Sequence, residues 1–252
     1  MYKLGKLPRT FNPKITHMSS LLCYKNLPAP PSSVDWSCKI TDFGMMLNDQ
    51  LGDCSCAAIY HARQIWTANA SMEKTEIDEN VLSLYEGSCG YNPDDASSDQ
   101  GGILQNVLLY CTINGFQIGD KSKEKFMGFI EVDTGDVKDI KIAINDFGLV
   151  YIGFSLPDSI YDSSGNPLST AWDVVDKSNI LGGHCVIIVG YDETGLTIVS
   201  WGSIFKITWK FFSMYVDEAY AILSQDWLDN SKKTPLGLTI EELTDLMIAI
   251  KE

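Results

Sequence analysis

The spacing of hydrophobic positions changes midway along the chain. Over residues 54–69, Ala58, Ile59, Ala62, Ile65 and Trp66 recur at helical intervals and predict a buried helix. Thr75-x-x-Asp78 resembles a capping box and predicts a shorter helix through Leu84 and Tyr85. A polar loop follows over residues 91–98, then Gly101-Gly102 opens a helix over 103–111 that stops near Gly115. Another helix is predicted over 137–147, ended by Gly148. Beyond it the grammar becomes that of strands, over 149–156, 185–191, 196–201 and 205–210. Asp192-Glu193-Thr194-Gly195 supplies a turn between two of them. Thr239-x-x-Glu242 predicts the cap of a C-terminal amphipathic helix reaching Ile250. Residues 1–34 lack periodicity and are punctuated by Pro8, Pro13, Pro28, Pro30 and Pro31, which predicts an extended arm laid over the body.

A helical first half and a β-rich second half predict an α+β fold of two packed subdomains with function in the cleft between them. The expected division is an arm at 1–34, a helical subdomain at 35–118, a β-rich, barrel-like subdomain at 119–225 and an extension at 226–252. With 252 residues, 45% of them hydrophobic, the chain can bury either one large core or two half-domains sharing a cleft. A net charge of −14 argues against nucleic acid or an anionic membrane as partner, because phosphate binding needs clustered cations. No apolar run approaches a membrane span and no signal-peptide core opens the chain, so a cytoplasmic or assembly compartment is expected. The seven cysteines lack zinc spacing and read as reduced thiols, and no metal or cofactor is expected. Cys23, Cys38, Cys89 and Cys111 read as core or incidental, and His17 and His61 as bystanders.

The candidate chemistry lies in Asn48-Asp49-Gln50-Leu51-Gly52-Asp53-Cys54-Ser55-Cys56-Ala57-Ala58, a turn feeding directly into a helix. A thiol at a helix N-terminus meets unsatisfied N–H groups and the positive end of the macrodipole, both of which favour thiolate. His184 begins a strongly apolar strand far downstream, so Cys54 and His184 form a candidate nucleophile and base.

Four stretches in order make the chain resemble the papain-like cysteine proteases. Pro31-Ser32-Ser33-Val34-Asp35-Trp36 is similar to the mature N-terminus of that family, and residues 48–58 are similar to its nucleophile segment. Asp99-Gln100-Gly101-Gly102 with the helix after it resembles the segment lining the substrate cleft. Gly183-His184-Cys185 and Ser200-Trp201-Gly202 resemble the histidine strand and its Ser-Trp-Gly turn. The resemblance implies Cys54 as nucleophile, His184 as base, Trp201 as its shield, and Gly101 and Gly102 as an edge on which an extended peptide pairs. It also implies a backbone oxyanion donor at Cys54, with Asn48 standing where the family has a glutamine. The family's histidine-orienting asparagine is Val199 here, so Ser200 or Asp192 is expected to orient His184 instead. Asp53 is expected to cap the helix and, as a carboxylate, to oppose the thiolate. Leu51 replaces a family disulfide cysteine, in keeping with reduced thiols.

Two functions follow from this reading. The first is a cysteine peptidase, or a related thiol acyl-transfer hydrolase, acting on peptide or protein substrates. The second is a papain-like module with little or no catalysis that works in an assembly through residues 1–34 and 226–252. The segments also resemble uncharacterised phage and prophage papain-like proteins, which implies a virion-associated place for the second reading.

Overall fold

The computed structural model describes residues 2–19, 29–119, 122–228, 232–234, 239 and 241–242. The helical part contains α1 (Cys54–Ala70), α2 (Asp78–Cys89) and α3 (Leu104–Ile113). Short strand β1 (Val34–Asp35) precedes these helices, and a ribbon of β2 (Phe116–Ile118) and β3 (Ser122–Glu124) follows them. The β-rich part contains β4 (Gly128–Glu131), α4 (Val137–Phe147), β5 (Val150–Pro157), β6 (Ile180–Tyr191), β7 (Gly195–Ser200), β8 (Ser203–Thr208), α5 (Trp209–Tyr215) and β9 (Val216–Leu223).

Helix α1 is buried from Cys54 through Thr67 because it runs between two layers, α2 and α3 on one side and β6 and β7 on the other. Two hydrogen bonds tie it to the β-rich part: Tyr151 Oη donates to Ser55 O (2.9 Å), and Trp66 Nε1 donates to Phe147 O (2.8 Å). Strand β6 alternates its side chains, as a pleated strand must. Cys185, Ile187 and Val189 join the core under α1, while Val186 and Ile188 join the core beneath α4 and α5. Helix α4 starts as its sequence predicts, with Asp136 accepting from the Lys138 N–H (2.8 Å), and ends at Gly148 in the left-handed region.

The main sheet is antiparallel in the order β4–β9–β5–β6–β7–β8, with β1 pairing beside β6. It stays open, with β4 and β8 as its ends, which corrects the barrel-like expectation for the second half. The α+β papain-like architecture itself is present. Among the described residues no helix is long and apolar enough to cross a membrane.

Local expectations fail where a distant partner decides. Thr75 does not cap α2. Its Oγ1 accepts from Gln64 Nε2 (3.3 Å), and Ile77 takes the N-cap place without a side-chain bond. The strand expected over 205–210 is cut short because Thr208 Oγ1 accepts from the Phe211 N–H (3.0 Å) and starts α5. Strand β6 begins five residues before its predicted start, since Gly182 and Gly183 already pair with β5. Strand β9, which the pattern does not announce, carries a buried Glu218 among apolar residues. At the C-terminus Thr239 and Glu242 make the reciprocal bonds of a capping box (Thr239 N to Glu242 Oε2 2.8 Å, Glu242 N to Thr239 Oγ1 3.2 Å). The helix predicted beyond them lies outside the described residues, as does Cys23; the six described cysteines are free thiols.

Candidate active site

The turn before α1 is fixed by a buried acid from another loop. Asp99 Oδ1 accepts from the Gly52 N–H (2.9 Å) and from Tyr85 Oη (2.8 Å), and Tyr85 Oη accepts from the Gly101 N–H (2.9 Å). One tyrosine and one aspartate thus hold both glycine-bearing walls of the cleft. Burial alone would raise the Asp99 carboxyl, but Lys3, the Gly52 N–H and Tyr85 hold it below its ordinary value.

Asp53 sits at the N-cap position of α1, yet its side chain makes no cap bond, correcting the expectation from sequence. Its carboxyl is fully buried and accepts from Asn48 Nδ2 (3.1 Å). Burial holds it well above the usual carboxylate range, toward the neutral form, which weakens the expected repulsion of a Cys54 thiolate. The Asn48 amide turns into its own loop, toward Asp53 and, more distantly, Leu51 O (3.5 Å). In this arrangement it is a brace for the turn, and its expected oxyanion role would require those bonds to break. The Cys54 N–H, first in the helix, belongs to the group with no intrahelical acceptor.

His184 pairs with Phe154 across the β5–β6 ladder and is fully buried. Trp201 stacks on its ring (centroids 4.4 Å apart, 18° between planes), and Phe154 packs edge-on (5.7 Å). Trp201 and Gly202 form the two-residue turn between β7 and β8 with φ of 47° and 69°, so a bulky residue is held in the left-handed region to deliver its indole onto His184. His184 Nε2 lies 2.8 Å from Ser200 Oγ, and Nδ1 is buried with no hydrogen-bond partner. Of the two expected orienting groups, Ser200 is in place. Asp192 is not, because its carboxylate folds onto its own turn, bonding the N–H groups of Thr194 (2.7 Å) and Gly195 (3.1 Å) at the far end of β6. Those bonds, led by the Thr194 hydroxyl, hold its pKa down at about 2. Val199 is buried in the core under α1, away from the ring. A hydroxyl can donate or accept, so Ser200 fixes the orientation of the ring without fixing its tautomer.

The Cys185 N–H, one residue after His184, acts on the Cys54 sulfur. The thiol is only 1% exposed, and burial pushes it up to about 12 against the pull of the Cys185 and Gly5 N–H groups. Burial likewise lowers His184 to about 3. Both members are therefore neutral, and no hydrogen bond joins them.

The N-terminal arm runs through the cleft between its glycine-bearing walls. The Gly102 N–H donates to Gly5 O (2.7 Å), the Leu7 N–H to Gly102 O (3.0 Å) and the Lys6 N–H to Gly183 O (3.0 Å). Gly5 lies so close to Gly52 and Gly101 that a Cβ on it would come within 1.7 Å of Gly52 O. Tyr2 packs on Trp201 (5.1 Å), Lys3 pairs with Asp99, and farther along Arg9 pairs with Glu131. Lys6 reaches a pocket under β5 and β9, with Nζ 2.8 Å from Asp217 Oδ2 and 3.1 Å from Glu218 Oε1. The peptide-pairing edge expected at Gly101 and Gly102 is thus filled by the chain itself.

Sequence reasoning overlooked Gly5, Lys6, Tyr85, Glu218 and Tyr220. The available signal was Asp217-Glu218 standing directly before the apolar run 219–223. His61 is a buried core histidine against Gly44 O (3.1 Å), and among the described residues no cluster of acidic, histidine and cysteine side chains could hold a metal ion.

No protein-family model matches the chain, and no curated protein sequence does. Solved structures do resemble it. Xylellain, a cysteine protease from Xylella fastidiosa, superposes with a TM-score of 0.68 at 16% identity over 88% of this chain and 96% of its own. The cysteine protease and lectin-like domains of Cwp84 from Clostridium difficile give 0.60 at 14% identity, over 88% of this chain and 56% of that one. A Carica candamarcensis cysteine protease gives 0.55 at 15% identity, over 77% and 99%. These likenesses add nothing to the resemblance to phage proteins. They do establish the architecture: the chain has the papain-like fold seen in these cysteine proteases.

Proposed function

We propose that the chain is a cysteine peptidase in which Cys54 is the nucleophile and His184 the base, kept latent by its N-terminal arm. The observation that carries this reading is the base itself. His184 is oriented by Ser200 on Nε2 and shielded by Trp201, its Nδ1 is left unpartnered, and the N–H of its neighbour Cys185 acts on the Cys54 sulfur. The large majority of buried polar side-chain atoms have a hydrogen-bond partner, so an open Nδ1 favours a working histidine over a core one.

Once the arm leaves, the thiol proton passes to His184 Nδ1 and the thiolate sulfur bonds to a peptide carbonyl carbon. The carbonyl electrons move onto oxygen, where the Cys54 N–H and the N-terminus of α1 stabilise them. Collapse breaks the C–N bond as His184 returns the proton to the leaving amine. Water, deprotonated by His184, then cleaves the thioester and regenerates the thiol. The seated arm stands outside this chemistry, since Gly5 directs an N–H at the sulfur and its carbonyl at Gly102. These bonds within one chain also weigh against residues 2–7 acting as an assembly tether in the closed form.

The test uses the full chain carrying Gly5→Ala, whose methyl cannot fit against Gly52 O and so displaces the arm. Quenched peptides are expected to be cleaved faster by this variant than by the unmodified chain, and not at all after Cys54→Ala is added. A folded Gly5→Ala chain with no cleavage above the Cys54→Ala blank would overturn the proposal.

A further inference from the structure

Two cysteines that take no part in the proposed chemistry meet between α1 and α2. Cys56 lies in the first turn of α1 and is fully buried, while Cys89 is the last residue of α2 and is partly exposed. One hydroxyl touches both. Ser88 Oγ, which donates to Leu84 O (2.6 Å), lies 3.6 Å from the Cys56 sulfur and 3.4 Å from the Cys89 sulfur. The two thiols are also hydrogen-bond partners of each other, and that bond holds Cys89 below its ordinary value while burial raises Cys56. Cys89 is therefore the nucleophile of the pair, and its partial exposure opens it to small oxidants. Cys54, Cys111 and Cys185 are buried, and burial raises all three thiols.

The Cys89 sulfur also presses on the back of the wall that carries the arm, since a Cβ on Gly102 would stand 2.6 Å from it. One turn earlier on the same face of α2, Tyr85 holds the Gly101 N–H and Asp99. We propose that Cys56 and Cys89 are a redox-sensitive pair that closes to a disulfide with a peroxide as oxidant, stapling α1 to the end of α2 behind Gly102. The Cys89 sulfur attacks one peroxide oxygen, the O–O bond breaks, and water leaves as Cys89 becomes a sulfenic acid. The Cys56 sulfur then attacks the Cys89 sulfur, the S–O bond breaks, and the departing oxygen takes the Cys56 proton as a second water. Two thiols are oxidised and one peroxide is reduced. The staple fixes the last turn of α2, and with it Tyr85, whether or not Cys54 cuts peptides.

The test treats the full, unmodified chain with a single equivalent of hydrogen peroxide, denatures it in iodoacetamide and maps its peptides without reductant. A linked Cys56–Cys89 peptide is expected, released by dithiothreitol, with Cys54 recovered as the alkylated thiol. The oxidised chain is expected to melt roughly 5 °C or more above the reduced one, and its Gly101 amide to gain hydrogen-exchange protection. In Cys89→Ser, the same treatment is expected to leave Cys56 reduced and the Tm unmoved. In Cys56→Ala, Cys89 is expected to stop at the sulfenic acid, which dimedone traps. Cys89 passing to the sulfinic acid without a linked peptide would overturn the pair, and so would a disulfide to Cys54 or Cys38 in its place. A linked peptide formed with no rise in Tm would overturn the staple.

Discussion

At single residues, the nucleophile segment is most readable where chemistry is local. Cys54 at a helix start, His184 in its strand and Ser200 beside Trp201 can all be placed from neighbouring letters, because a motif encodes its own turn and strand. Asn48 and Asp53 are misread for the complementary reason. Their roles depend on which buried partner each meets, and they meet each other. Asn48→Ala therefore removes a donor from a buried carboxyl. It is expected to lower unfolding stability by about 1–3 kcal/mol, as measured by denaturant titration. The same variant on the Gly5→Ala background is expected to keep kcat well above the loss of roughly 10²–10³ that deleting an oxyanion donor causes. Steady-state kinetics on that double variant separates the two roles.

At the level of elements, hydrophobic period located α1, α3, α4, β5 and β7 because each buries a stripe or a face set by its own sequence. Strand β9 escaped because Glu218 interrupts its apolar pattern, and the group that makes the interruption tolerable is Lys6 at the other end of the chain. The arm has the same character. Its prolines announced extended backbone, but nothing local told that residues 2–7 would bond to Gly102 and Gly183. Those bonds join an edge of two glycine-rich walls with no core of their own beneath the arm, so they are expected to open separately from the sheet. In the Gly5→Ala chain, hydrogen exchange is expected to show lost protection at the Lys6, Leu7 and Gly102 amides, with Val186 and Ile188 in β6 unchanged.

Across the whole molecule, the proposed function makes closure of the arm set the protonation of Cys54 and His184, and linkage makes the reverse true. Closed, His184 stays neutral down to about pH 3; open, it takes a proton near its ordinary 6.5. Below 6.5 the open form binds more protons, so closure weakens as pH falls, by at most about 1.4 kcal/mol per unit for this one group. On the alkaline side the closed thiol keeps its proton to about 12, whereas an open one releases it near 9.0, so closure weakens there as well. Closure is thus strongest between roughly pH 6.5 and 9, and the Gly102 amide protection factor is expected to fall on either side of that range. The central claim is that Cys54 and His184 are a reactive pair silenced by the arm, and the alkylation rate of Cys54 by iodoacetamide, with exposed Cys38 as internal reference, tests it most directly. In the unmodified chain at pH 8, Cys54 is expected to react about 10³-fold more slowly than Cys38, following the raised thiol pKa. In Gly5→Ala it is expected to overtake Cys38 and to lose that advantage when His184→Ala is added. Cys54 reacting no faster than Cys38 in the opened chain, or reacting equally with and without His184, would contradict the account.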